Sequence, residues 1–579
     1  MRDFEKFWKP SPKVIADKAL YPEETIRMVE ERLRSCGLRV YKGLKRIDKG
    51  RLGIPIYLSL YDVDGRKITG NYKQMGKGVT PVLSQASALV ELVERFSLFS
   101  YYQRVPQHGI LSSFKELGDR ALPWDVFIKS VEDEEEDSLR KFALEILKEI
   151  PFYFVPALEV YTRETKYIPF HWFWVLYEYN GSAGGNTYPE ASVQAICELI
   201  ERHTNALSIR SQKPMPSILR TSIKGEAEQL LSCFERLDIK LWIRDMTFGM
   251  PVPTIAVMAL DPSTFPHRSE IVYAAGTGTS PERALIRALT EVAQLAGDFD
   301  TEGKYVESGL PKFATLEEAS LVLRHEGEIA LEALPNIYRG DHVEELILLA
   351  QALKERDWVV YLIDIEEESL KLPAVYAIIP GILFRERTRI PLLFQICRVM
   401  PLYLPPEKNK EILEEILKEV DHRYYVWGYY GNVLKELGEF DEAIKAYERA
   451  LQCITPENDK VALYTNLADA YFRKGHWDSC IEMCEKALSI EEVAEVYNLL
   501  GRALYKRGDY FLALKTFMRA TELNPASAID YANIGYCLKN LNMLSSAEVF
   551  FVKALTLDPE LVMAKKGLEY CEAFLHSKN

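Results

Sequence analysis

Two short segments of the sequence carry nearly the same set of charged residues. Residues 90–96 are VELVERF and residues 197–203 are CELIERH, so both contain Glu-x-x-Glu-Arg. Residues three and four apart share one face of a helix, so each segment presents two carboxylates and a guanidinium together. Glutamates at this spacing repel each other and destabilise a helix unless a cation compensates. Carboxylate oxygens on facing helices suit Mg²⁺, which proteins usually bind together with phosphates.

A third segment, residues 281–295 (PERALIRALTEVAQL), has a comparable polar face with Arg287, Glu291 and Gln294. All three segments follow a glycine-bearing stretch: GKGVTP, GSAGGNTYPE or GTGTSPE. Glycine lets a backbone approach a ligand closely, and the N-terminus of the helix that follows favours anions. The simpler hypothesis is that these are solvated faces of amphipathic helices, but the faces contain few lysines and two of them match in spacing.

The common glycine-rich nucleotide motifs are absent from these stretches. Around Lys77, the sequence GNYKQMGKGVT has Gly78 where a P-loop requires Ser or Thr to reach magnesium. The Gly-Thr-Gly at 276–278 is too short for a dinucleotide fingerprint. A nucleotide bound here would therefore depend on carboxylate-held metal ions for much of its phosphate recognition.

Residues 1–410 combine predicted helices with predicted strands, which indicates an α+β domain. Residues 22–37 form a predicted helix that ends at Gly37, and residues 53–70 form a predicted hairpin that turns at Asp64-Gly65. Apolar runs predict further strands at 152–161, 166–177, 241–246, 251–260, 358–365 and 374–380. The arginines of FRERTRIPLL, residues 384–393, indicate either a solvated turn or a contact with phosphate or an acidic peptide.

From about residue 421 the sequence repeats with a period near 34. Equivalent positions hold Gly438, Gly475, Gly508 and Asn542, and a second set holds Ala450, Ala487, Ala520 and Ala554. This pattern resembles the tetratricopeptide repeat, in which helix pairs stack to bury faces that neither pair could bury alone. We expect four repeats and a capping helix from Leu561, within residues 421–579. Cys480 and Cys484 could bind a metal or oxidise, but they fall on packing positions, which favours a role in the core.

The composition of the whole chain limits the class of protein. Its 579 residues exceed what one hydrophobic core supports and predict two to four domains. A net charge of -14 argues against direct nucleic-acid binding, which requires clustered basic residues. Nine scattered cysteines without a Cys-x-x-Cys pair, and the lack of a long uncharged run, predict reduced thiols in a cytoplasmic protein without a membrane segment.

The three polar helices together resemble those of the YcaO family, over about residues 22–401. The matching positions are Ser87, Glu91, Glu94 and Arg95, then Asn186, Glu190, Glu198, Glu201 and Arg202, and finally Arg287, Glu291 and Gln294. The resemblance implies an ATP-binding fold without a P-loop, in which glutamates of neighbouring helices hold Mg²⁺ and ATP. It implies a YcaO domain over residues 1–410, with a helix and hairpin in 1–75 and the ATP-binding core in about 76–400, followed by the tetratricopeptide solenoid.

Carried over to this sequence, the resemblance implies two groups of site residues. The Mg²⁺ ligands would be Glu91, Glu94, Glu198 and Glu201. The residues that contact ATP would be Lys77, Ser87, Arg95, Asn186, Glu190, Arg202, Arg287, Glu291 and Gln294. The resemblance assigns no separate catalytic residue.

The resemblance also implies a reaction. YcaO proteins use ATP to phosphorylate the oxygen of a peptide amide after a nucleophile has attacked its carbon, which makes that oxygen a good leaving group. A neighbouring Cys, Ser or Thr gives an azoline, and external sulfide gives a thioamide. Thioamide formation is favoured, because the sequence ends in FLHSKN rather than the Pro-x-Pro-x-Pro tail of azoline-forming members, and its Gly-Ile-Pro segment at 53–55 is similar to the thioamide-forming group.

An accessory role is the alternative. A repeat domain after a YcaO domain is similar to the arrangement in members associated with methylthiolation of a ribosomal protein, where the ATP-binding domain would serve as a scaffold for another enzyme. The expected partners are a peptide or protein substrate and, through the repeats, a TfuA-like protein or a modifying enzyme. The resemblance also suggests a homodimer.

Overall fold

A computed structural model describes residues 4–131, 136–300, 310–384, 390–454 and 457–576 of the chain. Its internal contacts divide it into two compact units, Met1–Leu392 and Leu393–Asn579. The arginines of the FRERTRIPLL segment, at 385–389, lie outside the described residues. Among the helices of the described ranges, none is both long and apolar enough to cross a lipid bilayer.

The first unit is built around three β-sheets. The smallest is antiparallel and contains, in this order, β1 (Tyr41–Arg46), β2 (Ile56–Tyr61) and β3 (Lys73–Lys77). The second contains β4 (Ile110–Ser112), β5 (Phe152–Glu159), β6 (Thr165–Pro169), β7 (Ser182–Gly184), β13 (Tyr361–Asp364) and β14 (Ala374–Ile378), in the order β4-β5-β13-β14-β7 with β6 beside β5. The third contains β8 (Ser217–Ile218), β9 (Lys240–Asp245), β10 (Thr254–Leu260), β11 (Val272–Thr277) and β12 (Glu328–Ile329), in the order β11-β10-β9-β8-β12.

Helices connect and cover these sheets, which confirms the α+β class. They are α1 (Pro22–Ser35), α2 (Val63–Thr69), α3 (Pro81–Gln103), α4 (Val105–His108), α5 (Phe114–Leu117), α6 (Trp124–Phe127), α7 (Asp137–Glu149), α8 (Phe170–Tyr177), α9 (Tyr188–Ser211), α10 (Gly225–Glu235), α11 (Pro281–Ala296), α12 (Ser320–Leu323) and α13 (His342–Lys354). One core lies between α10, α11 and one face of the third sheet, where Ile255 and Val257 of β10 are fully buried. Because strand side chains alternate, Ala256 and Met258 face a second buried cluster.

The predicted hairpin at Asp64-Gly65 is wrong. Residues 63–69 form helix α2, and β2 is flanked by β1 and β3. The side chain of Asp62 accepts a hydrogen bond from the backbone N–H of Val63 and caps the helix. Gly65 is buried, and a Cβ there would lie 2.5 Å from the carbonyl oxygen of Val40. Asp-Gly therefore marks a capped, closely packed helical turn in this chain instead of a two-residue hairpin loop.

The predicted strand at 166–177 is half right. Residues Thr165–Pro169 form β6 and pair with β5, but Phe170–Tyr177 form helix α8. A short apolar run does not by itself distinguish a buried helix from a buried strand. The other predicted strands coincide with β5, β9, β10, β13 and β14, and the helix that ends before Gly37 is α1.

Helices α3, α9 and α11 begin in the same way. Thr80, Thr187 and Ser280 are their N-caps, and each side chain accepts a hydrogen bond from the backbone N–H three residues later. A proline occupies the first or second position of each helix. At equal distances from the caps lie three sets of polar residues: Ser87, Glu91 and Glu94 in α3, Gln194, Glu198 and Glu201 in α9, and Arg287, Glu291 and Gln294 in α11.

Two of these helices pack directly on a glycine of the strand before them. A Cβ on Gly76 of β3 would lie 2.1 Å from the backbone nitrogen of Ala88 in α3. A Cβ on Gly276 of β11 would lie 2.4 Å from the backbone nitrogen of Ala288 in α11. Because no side chain fits in either place, the end of each strand lies close against its helix. This close packing sets the position of Lys77, the last residue of β3.

His203 of α9 is buried beside the ring of Trp358. Its Nδ1 accepts a hydrogen bond from the backbone N–H of Leu383, at 3.1 Å. Burial lowers the pKa of His203 to about 4, and the nearby charge of Arg210 adds to this effect. Protonation would also remove the acceptor that holds Leu383. The folded state therefore binds this proton less readily than the unfolded state does.

We expect the free energy of unfolding to fall by about 2–3 kcal/mol through His203 as the pH falls from about 6.5 to about 4. The His203→Gln variant keeps an acceptor but does not titrate, so its stability should fall less over the same range. Urea titrations at several pH values measure both proteins. Burial also lowers the pKa of His171 to about 4. Its contribution to the pH dependence of stability is the same in the wild type and in the variant. Parallel pH profiles would contradict the assignment to His203.

The second unit is a run of helices. They are α14 (Leu392–Val399), α15 (Pro406–Glu419), α16 (Tyr424–Glu436), α17 (Phe440–Cys453), α18 (Glu457–Lys474), α19 (Trp477–Leu488), α20 (Ala494–Arg507), α21 (Tyr510–Leu523), α22 (Ala528–Asn540), α23 (Leu544–Leu557) and α24 (Val562–His576). From α16 onward each helix packs on the next, and the turns at Gly438, Gly475, Gly508 and Asn542 all have positive φ. Cys480 and Cys484 are fully buried in the hydrophobic core, as the packing hypothesis predicts.

Candidate ATP and metal site

Lys77 lies among the three helices α3, α9 and α11. It forms an ion pair with Glu291 of α11. Burial lowers the pKa of Lys77 to about 8, whereas Glu201 of α9 and Glu91 of α3 act in the opposite direction. The ammonium of Lys77 is therefore close to acidic residues of all three helices. The polar faces are turned towards one another, and the solvated-face alternative is wrong.

Glu94 joins α3 to strand β7. Its carboxylate accepts hydrogen bonds from the hydroxyl of Ser182 (2.7 Å) and from the backbone N–H of Gly184 (3.2 Å). The guanidinium of Arg95 is 3.2 Å from Glu94 and donates to Glu91 at 2.9 Å. Burial raises the pKa of Glu94 to about 8, and the charge of Glu91 acts in the same direction. A cation bound beside Glu94 would favour its charged form.

Glu198 and Glu201 lie on one face of α9 and share Arg202. The guanidinium is 3.6 Å from Glu198 and 3.5 Å from Glu201. Glu198 also accepts from the backbone N–H of Gly181 (3.2 Å), and Glu201 accepts from that of Thr277 (3.1 Å). Both side chains are less than one-fifth exposed, and burial raises the pKa of Glu198. These two partly buried carboxylates therefore attract a nearby cation.

Asn186 and Glu190 lie against the amino-terminal segment of the chain. Asn186 donates to Glu190 (3.1 Å) and accepts from the hydroxyl of Thr25 (2.8 Å). Glu190 accepts from the backbone N–H of Ala19 (3.1 Å), and the ammonium of Lys18 is 3.4 Å from it. The end of the segment before α1 and the first turn of α1 therefore contact two of the residues predicted to bind ATP.

Arg287 of α11 is bound to the same segment, where it donates to Asp17 at 3.1 Å. Burial alone would raise the pKa of Asp17, but Lys18 and Arg287 hold it well below its usual range. Ser87 and Gln294 are half-buried on the polar faces of α3 and α11. On α9, the side-chain oxygen of Gln194 is buried and has no hydrogen-bond partner. Buried acceptors are normally satisfied, so this oxygen is available to a ligand.

The structure thus brings two groups of the predicted residues together. Around the three helices lie Lys77, Glu91, Glu94, Arg95, Glu198, Glu201, Arg202, Arg287 and Glu291, and beside the amino-terminal segment lie Asn186 and Glu190. The sequence interpretation missed Asp17, Lys18, Thr25 and Ser182. Ser182 carried one signal, since it lies within the glycine-bearing stretch GSAGGNTYPE. Asp17, Lys18 and Thr25 lie in a short polar stretch, and the residues that they contact are far away in sequence.

Carboxylates of three helices lie near a strand that carries no P-loop, as the ATP-binding domain inferred from the sequence requires. A family model described as YcaO cyclodehydratase, ATP- and Mg²⁺-binding, matches residues 75–383, just over half of the chain. This chain belongs to the YcaO family. Tetratricopeptide-repeat models match residues 424–492, 494–527 and 531–561, which confirms the nature of the second unit. The expected cofactors, ATP and Mg²⁺, are those that the family description names.

Three relatives illustrate the similarity. An uncharacterized protein of Methanothermobacter thermautotrophicus is 25% identical over 378 residues, which are 63% of this chain and 94% of that protein. An "uncharacterized protein in tfuA 3'region" of Rhizobium leguminosarum bv. trifolii is 23% identical over 401 residues, or 63% and 88% of the two chains. A solved heterocyclase in complex with substrate and cofactor has a TM-score of 0.52 and 20% identity, and the match covers 68% of this chain but only 56% of that one. This last likeness shows the fold.

The chemistry of the site residues fits Mg²⁺ and ATP. Carboxylate oxygens such as those of Glu94, Glu198 and Glu201 are the ligands that Mg²⁺ prefers. In the parts of the chain that the structure describes, no three His, Cys, Asp or Glu side chains could hold a metal ion by themselves. Mg²⁺ usually takes only one or two protein carboxylates and completes its shell with water and phosphate oxygens. This arrangement therefore suits an ion that arrives together with a triphosphate.

Proposed function

We propose that this protein uses ATP and Mg²⁺ to phosphorylate the oxygen of a backbone amide in a peptide or protein, with sulfide as the nucleophile and a thioamide as the product. The observation that carries the proposal is the position of Lys77 among acidic residues of three helices. Arg202 and Arg287 lie near the same lysine. Carboxylates that hold a divalent cation, next to fixed cations, are what phosphoryl transfer requires.

The chain's own residues have distinct roles in this proposal. Bound ATP supplies the phosphoryl group, and Mg²⁺ offsets the charge that develops on it. Glu94, Glu198 and Glu201, with Glu91 beside them, would supply the one or two carboxylates that a magnesium ion takes from a protein. Arg95 and Arg202 already contact these carboxylates and would neutralise phosphate oxygens.

The remaining site residues position the nucleotide. Asn186 and Glu190 are held in place by Thr25 and Lys18. Ser87 lies on the polar face of α3, and Arg287, Glu291 and Gln294 lie on that of α11. Lys77 lies at the end of β3. Gln194 offers its unpartnered oxygen on α9. Because several of these groups are already fixed by hydrogen bonds, little ordering is needed when the nucleotide binds.

The reaction balances without an oxidant or reductant. The sulfur of hydrosulfide forms a bond to the amide carbon, and the amide oxygen takes the phosphoryl group. The carbon–oxygen bond then breaks, the oxygen leaves as part of phosphate, and the hydrosulfide proton ends on that phosphate. The products are a thioamide, ADP and phosphate.

Two features support sulfide over an internal nucleophile. The Gly-Ile-Pro segment at 53–55 is similar to that of thioamide-forming members. The Rhizobium relative belongs to the tfuA 3' region, and a TfuA-like partner is expected of a thioamide-forming member. We therefore propose that a TfuA-like protein delivers the sulfide.

We expect the purified protein with ATP, Mg²⁺, sulfide and a peptide encoded by a neighbouring gene to release ADP and phosphate. The peptide should gain the mass difference between sulfur and oxygen. Mass spectrometry and phosphate release measure the two products, and Glu198→Gln is the inactive control. Loss of water from the peptide would instead indicate azoline formation. Peptide-independent ATP hydrolysis with no change in peptide mass would contradict the proposed reaction.

The tetratricopeptide repeats support a second candidate, an accessory role. Repeats that recruit another enzyme would make the first unit an ATP-binding scaffold, for example in methylthiolation of a ribosomal protein. In that case the protein binds ATP, and the substrate changes only after the second enzyme is added. Adding a radical methylthiotransferase to the same assay distinguishes the two functions.

A further inference from the structure

One short segment, residues 178–182 (EYNGS), contacts charged side chains of both α3 and α9. It connects helix α8 to strand β7. The hydroxyl of Ser182 donates to the carboxylate of Glu94 on α3 at 2.7 Å. The backbone N–H of Gly181 donates to that of Glu198 on α9 at 3.2 Å. The segment therefore links the two helices that carry the predicted metal ligands.

Tyr179 contacts the guanidinium of Arg95 in two ways. The guanidinium carbon lies 4.6 Å from the centre of the Tyr179 ring, and the backbone carbonyl of Tyr179 accepts a hydrogen bond from Arg95 at 3.0 Å. A cation over an aromatic face is attracted to it electrostatically. Tyr179 is 44% exposed, so packing in a hydrophobic core does not explain the position of its ring.

Asn180 contacts Arg202 of α9 in a similar way. Its side-chain oxygen accepts a hydrogen bond from Nε of Arg202 at 2.9 Å, and its amide nitrogen donates to the backbone carbonyl of Tyr177 at 2.8 Å. A guanidinium only donates and a carbonyl only accepts, so these two partners fix the orientation of the amide. The contact with Asn180 is shorter than the two ion pairs of Arg202, at 3.5 and 3.6 Å.

The backbone of this segment is strained. Glu178 has a φ of 51° and a ψ of -119°, a conformation that residues other than glycine rarely adopt. The hydroxyl of Tyr376, a fully buried residue, donates to the carbonyl of Glu178 at 2.8 Å. Gly181 has a φ of 85°, and a Cβ there would lie 2.9 Å from the carbonyl oxygen of Ala377. Strain of this kind persists only where surrounding contacts maintain it, and it is frequent at ligand sites.

Partners without a net charge suit these two arginines, because their carboxylate partners have a second task in the proposed function. The carboxylates of α3 and α9 would turn towards Mg²⁺ when it binds with the triphosphate. The ring and carbonyl of Tyr179 and the amide of Asn180 would then still hold the two guanidiniums. Arginine has five N–H donors, so the remaining ones can bind phosphate oxygens.

We propose that Tyr179 and Asn180 are positioning residues of the ATP site. Each holds one arginine, Arg95 or Arg202, in the orientation in which its guanidinium binds phosphate oxygens. They act through these arginines and do not touch the nucleotide themselves. This inference rests on the proposed function and adds two residues that the family resemblance does not assign.

Isothermal titration calorimetry of the full chain with Mg²⁺ and AMPPNP, a non-hydrolysable ATP analogue, tests this inference. Tyr179→Ala removes the ring but keeps the backbone carbonyl, and it should weaken binding by about threefold to fivefold. Tyr179→Phe keeps the ring, so its affinity should be within about twofold of the wild type. Asn180→Leu removes the acceptor at nearly the same volume and should weaken binding by at least about tenfold, because Arg202 loses a partner in a partly buried site.

The matched control is Tyr161→Ala. Tyr161 is a similarly exposed tyrosine between β5 and β6, and its loss should leave binding unchanged. Thermal unfolding without nucleotide should give the same midpoint for Tyr179→Ala, Tyr179→Phe and the wild type, because the ring lies at the surface.

The inference is overturned if either Tyr179→Ala or Asn180→Leu binds with wild-type affinity, or if Tyr179→Phe binds as weakly as Tyr179→Ala. It is also overturned if the weaker binding of these variants is matched by partial unfolding at the temperature of the assay. A wild type that does not bind AMPPNP would contradict the proposed function as well. Normal binding by the variants would contradict this inference alone.

Discussion

Replacing Glu198 or Glu201 by glutamine should lower the affinity for a non-hydrolysable ATP analogue with Mg²⁺ by at least about 100-fold, or about 2.8 kcal/mol. Glutamine has nearly the same shape but no charge, so each variant would lose a proposed metal ligand without opening a cavity. Each also leaves Arg202 with one carboxylate in place of two. Isothermal titration calorimetry with the intact chain measures the affinity directly.

A matched control distinguishes the loss of a proposed metal ligand from unfolding of the protein. Glu282 lies in the first turn of α11, away from the polar face of that helix, so Glu282→Gln should bind the nucleotide normally. Thermal unfolding without nucleotide should give similar midpoints for the wild type and all three variants. If Glu198→Gln and Glu201→Gln both bind with the affinity of the control, the three helices do not form the ATP site.

Alanine at Gly76 or Gly276 should destabilise the first unit by at least about 3 kcal/mol. The added carbon would lie 2.1 Å from the nitrogen of Ala88 in the first case, and 2.4 Å from the carbonyl oxygen of Ala284 in the second. These neighbours are helix backbone, which cannot rotate away as a side chain can. The strand and helix would have to separate, and Lys77 would move with the strand. Nucleotide binding should therefore weaken as well.

The comparison for these variants is Gly340→Ala. A Cβ at Gly340 meets no atom within 4 Å, and its φ does not lie in the left-handed region. This substitution should change the free energy of unfolding by less than about 1 kcal/mol. Guanidinium chloride titrations of the three variants measure the difference. Equal midpoints for Gly76→Ala and Gly340→Ala would show that the strand–helix contact is not rigid.

Local periodicity explains what the sequence predicts well. The polar faces of α3, α9 and α11 follow from the spacing of charged residues within one helix, and each helix start follows from a Thr or Ser cap and a proline. The repeats follow from a period that recurs along the chain. Each of these patterns lies within about 35 consecutive residues. It can therefore be recognised without knowledge of the contacts between distant segments.

Contacts between distant segments explain what the sequence did not predict. Asp64-Gly65 fits a hairpin locally, but burial of Gly65 against Val40 fixes a helix there instead. The aromatic run 170–177 fits either element until its packing is known. Lys18 and Thr25 have no local feature that pairs them with Glu190 and Asn186, more than 150 residues away.

Residues 17–25 connect the start of α9 to α11 in the first unit. Asp17, Ala19 and Thr25 contact Arg287, Glu190 and Asn186, respectively. A protease cut or a bulky fusion tag near this stretch would disturb all three side chains at once. The resulting protein would keep its repeats and most of its sheets yet lose affinity for nucleotide, and it could be mistaken for a naturally inactive homologue.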